Sequence, residues 1–317
     1  MDEQHGQWQA SCLPWHKAEF ARLSQMRRDG RLPHAVLLTG APASGKSLFA
    51  AALAASLLCR EATEVACGQC ESCLLARSGG HGDYRWLMPE EGKRAIGIDP
   101  VRAAIRFVQQ TAGYGSVKVL VLTPAEALTT AAANALLKTL EEPAGSSHLL
   151  LVSDRPGDLP ATVRSRCQTT VLPKPSQQEA IVWLCDASHQ TEEQCARALR
   201  LANDGVLAAL HLLASDGVRE REALEEQLLA IMGGELGDAA AVAALSGYDT
   251  ELVLESAANL IARRLSSLPA AGLMASQPAF DCHQRIGDWL SASRRGINFS
   301  RDLLLREFCL TLAGMTR

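Results

Sequence analysis

Aromatic residues make up only 4% of this 317-residue chain, and that scarcity argues against a sheet-dominated architecture, where Tyr, Phe and Trp are normally enriched. Abundant Ala and Leu favour helix instead. There is no apolar, charge-free run of the roughly eighteen residues that a membrane-spanning helix needs. The N-terminus, MDEQHGQWQAS, lacks the basic start and apolar centre of a secretory signal. A cytoplasmic chain without a membrane partner is therefore expected. Cationic excess is missing as well. Residues 1–173 hold 18 Lys/Arg against 16 Asp/Glu and residues 174–317 hold 13 against 19, so the halves carry +2 and −6 within a net charge of −4. Strong independent nucleic-acid binding needs many phosphate neutralisations, which this balance does not supply. Any DNA contact is expected to be shared with partners.

What is present is a globular composition, 47% hydrophobic and 21% charged, with a length that suits two or three domains. The run Ala35 to Thr39 leads into a glycine loop, and Leu48 to Leu58 follows with strong helix formers. Further strands are expected at 84–87, 117–122 and 148–153, with helices at 100–110 and about 130–142, the last closed by Pro143. Such alternation predicts an α/β domain, its parallel sheet covered on both faces. Beyond Pro173-Lys-Pro175 only helical patterns remain, at 179–186, 192–202 and 206–214 and then from Val218 onward. The last, over 300–312, has Ser300 as a candidate N-cap.

Gly40 to Ser47 read GAPASGKS, a complete phosphate-binding loop set between a strand and a helix. Its glycines, Gly40 and Gly45, let backbone N–H groups converge on phosphate oxygens, Lys46 adds positive charge, and Ser47 is of the type that ligates magnesium. ATP or ADP is the implied ligand. Hydrolysis requires more, since P-loop enzymes place acids at the end of a neighbouring strand to hold the magnesium shell and orient water. Here that strand runs into Thr123 and Pro124. Glu126 lies just beyond, but Pro124 fixes the intervening backbone and argues against simple substitution. Magnesium support and independent ATP turnover are therefore not expected.

Cys59, Cys67, Cys70 and Cys73 form C-x7-C-x2-C-x2-C, four of the ten cysteines in one short polar stretch. Four soft ligands at that spacing suit tetrahedral zinc, and with every position filled by protein the metal would be structural. The alternative, small core residues in coincidental register, leaves the clustering unexplained. Cys12, Cys167, Cys185, Cys195, Cys282 and Cys309 are scattered without an accompanying His/Asp constellation, so no thiol chemistry is expected of them. The eight histidines show no metal-ligand spacing.

Several stretches together resemble the bacterial clamp loader subunits of the AAA+ class: Leu32-Pro-His-Ala35 before the loop, the four cysteines after the first helix, NALLKTLEEP over 134–143, and Ser165-Arg-Cys167. The resemblance covers nearly the whole chain. It implies an AAA+ nucleotide-binding domain over 1–173 with a zinc module at 59–73, a small helical lid over 174–215, and an all-helical oligomerisation collar over 216–317. The ATP-hydrolysing members carry both strand-end acids and a sensor arginine in the second domain. This chain has Thr123 and Pro124 in place of the acids, and Ala208 where the arginine is expected.

By that resemblance the chain is a non-hydrolysing member that helps load a sliding clamp on primed DNA during chromosome replication. It would count as part of a DNA-directed DNA polymerase, a nucleotidyltransferase, through membership alone. Its expected partners are the motor gamma/tau and delta subunits, with clamp and DNA contacted through the complex. Arg166 is implied to reach across a subunit interface to ATP held by a neighbouring motor subunit, where a guanidinium stabilises the transferring phosphoryl group; Arg164 is the residue most easily confused with it. Lys138, on the 130–142 helix, is a candidate phosphate contact to DNA. Two rivals remain open: an ATP-hydrolysing motor subunit, favoured by intact Lys46 and Ser47, and a zinc-dependent DNA-binding module, disfavoured by the charge.

Overall fold

The computed structural model describes residues 12–61, 64–115, 117–143, 145–269, 276–294 and 299–314. These divide into two compact units, one running through Ala180 and including Gly205–Leu207, the other comprising Ile181–Asp204 and Ala208 onward.

The first unit is built on a five-stranded sheet in the order β2-β3-β4-β1-β5, with β1 at Ala35–Thr39, β2 at Tyr84–Leu87, β3 at Lys118–Leu122, β4 at Ser147–Ser153 and β5 at Gln168–Val171. Every pairing is parallel, and β1 lies between β4 and β5, with Thr39 opposite Ser153 on one side and Val171 on the other. The near-continuous apolar runs of β1, β3 and β4 have the pattern that two-sided burial demands. Alternate residues serve opposite faces. Leu37, Leu120, Leu122, Leu149 and Leu151 pack with α4 (Ile98–Gln109) and α5 (Thr130–Glu141), whereas Val36, Leu38, Val119, Val121, Leu150 and Val152 pack with α1 (Lys17–Arg28) and α2 (Lys46–Leu58). The expected α/β sheet, covered on both faces, is what forms.

Between α2 and β2 lies α3 (Glu71–Arg77), and a single turn, α6 (Ala161–Arg164), precedes β5. Neither α1, α3 nor β5 stands out in the sequence. β5 is an edge strand, and three of its four residues are exposed, so it has no apolar run to announce it. The α5 helix begins on a side-chain cap, Thr129 accepting from the Ala132 N–H, and ends before Pro143 as anticipated.

From Gln177 onward the described structure is helical. α7 (Gln177–Ser188), α8 (Glu192–Leu201) and α9 (Val206–Ala214) come first, and α8 starts on a reciprocal Thr191–Gln194 capping box. There follow α10 (Gly217–Met232), α11 (Asp238–Leu245), α12 (Thr250–Ser266), α13 (Gln277–Arg294) and α14 (Arg301–Ala313), packed on a core that includes Leu224, Leu228, Ile261, Trp289 and Phe308. Ser300 occupies the N-cap position of α14, but its side chain makes no capping bond. Among the described residues no helix is long and apolar enough to cross a membrane.

Candidate nucleotide loop, metal centre and interface arginine

The glycine loop follows β1 directly and opens α2, so the parallel pairing of β1 with β4 sets the end of β4 beside it. Gly40 and Gly45 take φ values of 149° and 98°, a region that side-chain-bearing residues rarely adopt. Space reinforces both choices. A Cβ on Gly40 would stand 2.7 Å from the Leu172 carbonyl oxygen, and one on Gly45 would stand 2.2 Å from Leu13 Cδ1. The loop is thus packed from outside by the segment before α1, and Trp15 Nε1 donates to the Ser44 carbonyl at 3.1 Å. The Leu207 N–H, which belongs to the same unit, donates to the Ala43 carbonyl at 3.0 Å.

Lys46 is buried, and its ammonium is spent inside the protein. Nζ donates to the carbonyls of Gly40 at 3.1 Å and Ala41 at 2.5 Å, and it pairs with the Asp154 carboxylate just past β4. Ser47 is exposed at the start of α2. β3 ends at Leu122, so Thr123 and Pro124 occupy the strand end where acids would be needed. Glu126 is committed elsewhere: its Oε1 accepts the backbone N–H groups of Asp154 at 3.1 Å and Arg155 at 3.2 Å. It braces the end of β4. Beside the loop, His16 is fully buried and packs edge-on against Phe49 at 5.6 Å. Burial pushes its pKa down to about 4, with the charge of Lys46 acting the same way and the Pro173 backbone opposing.

The four cysteines converge after α2. Their sulfurs all lie within 4.8 Å of one another, and Cys67 Sγ stands 3.9 Å from Cys73 Sγ. A tetrahedron with Zn–S bonds of about 2.3 Å places its sulfurs about 3.8 Å apart, so the donor set fits zinc in identity, number and spacing. Around the thiols, backbone N–H groups of Cys67, Gln69 and Cys70 point at sulfur, as they do toward metal-bound thiolates. The Cys70 thiol is brought down to about 7 by hydrogen bonds from backbone and neighbouring thiols that outweigh its burial, while burial pushes the Cys73 thiol up.

The module is tied to the sheet through a buried polar cluster that no local motif announces. Ser72 Oγ donates to the Leu58 carbonyl at 2.6 Å and lies 2.8 Å from His81 Nε2, while His81 Nδ1 accepts from the Asp83 N–H at 3.0 Å. That last bond makes Nε2 the protonated nitrogen, so His81 donates to Ser72 and does not act as its base. Despite the Ser, His and Asp present, this is a structural network. Asp83 in turn accepts from Lys118 Nζ and from the Gly113 and Tyr114 N–H groups. These three donors hold its carboxyl below the usual range against the opposing effect of burial.

Arg166 lies between α6 and β5. Its Nε donates to Glu141 Oε1 at 2.6 Å, its Nη2 pairs with the same oxygen, and Nη1 donates to the Thr162 carbonyl at 2.9 Å. Cys167 beside it is partly buried against the sheet core, anchoring the triplet. Arg164 points elsewhere, to the Pro156 carbonyl at 3.0 Å. Lys138 is exposed on α5. The fold therefore brings Gly40, Gly45, Lys46 and Ser47 together where the loop meets the first turn of α2, and the cysteines into one cluster. Glu141 and Asp154, the carboxylates that engage Arg166 and Lys46, carry no local sequence signal that marks them as partners.

Residues 15–176 match the family described as DNA polymerase III, delta subunit. The chain belongs to that family. A Pseudomonas aeruginosa protein named DNA polymerase III subunit delta' is 40% identical over 215 residues, covering 68% of this chain and 65% of the relative. The protein of the same name from Escherichia coli K12 is 38% identical over 216 residues, with the same coverage. The matched segment thus spans just under two thirds of these relatives' length. Among solved structures, a DNA polymerase III gamma subunit-related protein from Thermotoga maritima superposes with a TM-score of 0.50 at 17% identity, over 93% of this chain and 99% of that one. That likeness is one of fold. With the strand order and the loop after β1, it bears out the expected AAA+ α/β architecture.

Proposed function

We propose that this chain serves as the delta-prime subunit of a DNA polymerase III clamp loader, helping motor subunits place a sliding clamp on primed DNA without turning over ATP itself. The observation that carries this reading, within the family shown above, is the state of the glycine loop. Lys46 is engaged by Asp154 and by the loop's own carbonyls, and Glu126 is used as a backbone brace. The end of β3 thus carries Thr123 and Pro124 in place of the acids that organise magnesium and water. The motor-subunit alternative loses its support at this point.

In this reading the chain's catalytic contribution is Arg166, offered to ATP on a neighbouring gamma/tau motor subunit, with delta as a further partner. Residues 1–173 form the nucleotide-binding-like domain, 174–215 the lid, and 216–317 the collar through which subunits assemble in the cytoplasm. Zinc held by Cys59, Cys67, Cys70 and Cys73 is structural: it neutralises thiolate charge and ties the end of α2 to α3. Lys138 meets the DNA backbone within the assembled ring. ADP or ATP, if held at the loop, acts as a static ligand. Reconstitution tests the proposal. Motor and delta subunits should load clamps on primed DNA when this chain is added and fail without it, and the purified chain should release no phosphate from ATP. Loading that proceeds equally well without the chain would contradict the assignment.

A further inference from the structure

We propose that the Asp154 carboxylate is the resident anion of the glycine loop, an internal competitor that must be displaced before the phosphates of a nucleoside di- or triphosphate can bind. This deepens the reading of the loop given above and rests on it. An ammonium has three N–H donors. Those of Lys46 have three partners inside the chain, the Gly40 and Ala41 carbonyls and Asp154, and its side chain is only 3% exposed. No donor is left for an incoming phosphate.

The position of Asp154 follows from topology. It is the first residue after β4, whose register sets Ser153 opposite Thr39, the last residue before the loop. Glu126 then holds the Asp154 and Arg155 N–H groups, fixing the backbone from which the carboxylate reaches Lys46. The Asp154 side chain keeps 44% of its surface in solvent, so it can rotate outward without crossing the core. Coulomb repulsion between this carboxylate and a polyphosphate adds to the cost of binding.

A simpler account gives Asp154 only the role of counter-ion to a buried lysine, whose bare charge would be costly. The two accounts differ in one observable. A pure counter-ion yields no nucleotide affinity when neutralised, whereas a competitor does.

The experiment titrates the full-length chain calorimetrically with ADP, and with ATP plus magnesium, using wild type, Asp154→Asn, Asp154→Ser and the double variant Asp154→Asn/Lys46→Ala. Thermal unfolding establishes that each is folded. Asp154→Asn, or Asp154→Ser if the first does not fold, should bind roughly ten- to a hundredfold more tightly than wild type, the equivalent of one charge-assisted hydrogen bond. The double variant should lose that gain. Equal affinity of wild type and the Asp154 variants overturns the inference, and so does failure of the folded Asp154 variants to bind at all. The outcome is separable from the subunit assignment. Tight nucleotide binding by wild type would sink this inference and leave clamp loading untouched, whereas failure to support clamp loading would sink the assignment alone.

Discussion

Arg166 and Glu141 are joined through two guanidinium nitrogens to a single carboxylate oxygen, with the Arg166 Nε 2.6 Å from Glu141 Oε1. The pair links the two most specific motifs of the chain, the 134–143 run and the Ser165–Cys167 triplet, across 25 positions of sequence. Its side chains are 32% and 48% exposed, so solvent screens the bridge and lowers the cost of breaking it.

An exposed ion pair of this kind contributes about 0–1 kcal/mol. Glu141→Ala should therefore shift the unfolding free energy by no more than about 1 kcal/mol in urea titrations. A loss of about 3 kcal/mol or more would show that the pair is structural and that Arg166 is not free to leave it.

The cysteine cluster should bind zinc stoichiometrically, as metal analysis of protein purified without chelator would reveal. Cys73→Ser should abolish that binding and lower the thermal midpoint, because ligand binding to the native state alone adds its free energy to stability. Zinc-free wild-type protein with an unchanged midpoint would contradict a structural metal.

His16 sets a pH dependence. Its folded pKa of about 4 lies below the unfolded value of 6.5, so the unfolded chain binds a proton that the native state refuses. Stability from this residue is complete above the unfolded value and is lost as pH falls from 6.5 toward 4, by an upper limit of about 3 kcal/mol. His16→Phe, which keeps a ring against Phe49 but cannot titrate, should flatten the stability profile across that window. Identical slopes in wild type and variant would contradict the assignment.

Lys118 and Asp83 form a pair whose side chains are 5% and 1% exposed. Lys118→Met leaves the carboxylate buried with only the Gly113 and Tyr114 N–H donors, and should cost about 3 kcal/mol in chemical denaturation. A change below about 1 kcal/mol would mean that water or neighbouring groups replace the ammonium fully.

The sequence made the sheet core legible because β1, β3 and β4 are buried on both faces and therefore read as apolar runs. β5 was invisible for the opposite reason: three of its four residues are exposed, and its place is fixed by pairing with β1. At the loop, glycine spacing declares the backbone geometry locally. Asp154, by contrast, reaches Lys46 only because β4 lies beside β1, a relation between distant segments. Glu126 illustrates the same limit. Its place just beyond Pro124 argued against a substitute catalytic acid but gave no sign of its actual role, which is to accept the backbone N–H groups of Asp154 and Arg155. Glu141 likewise could pass for a solvated helix-end charge until the turn before β5 brought Arg166 to it.

Under the proposed function, Arg166 acts on ATP held by another subunit. The most direct measurement is the DNA-stimulated ATPase of a reconstituted loader carrying either wild type or Arg166→Ala, with assembly verified by size-exclusion chromatography. Normal assembly is expected, with a turnover drop of about 10³-fold or more at the ATP site that faces this chain, the scale of a lost arginine finger. An assembled loader whose ATPase is the same with either protein would contradict that role for Arg166.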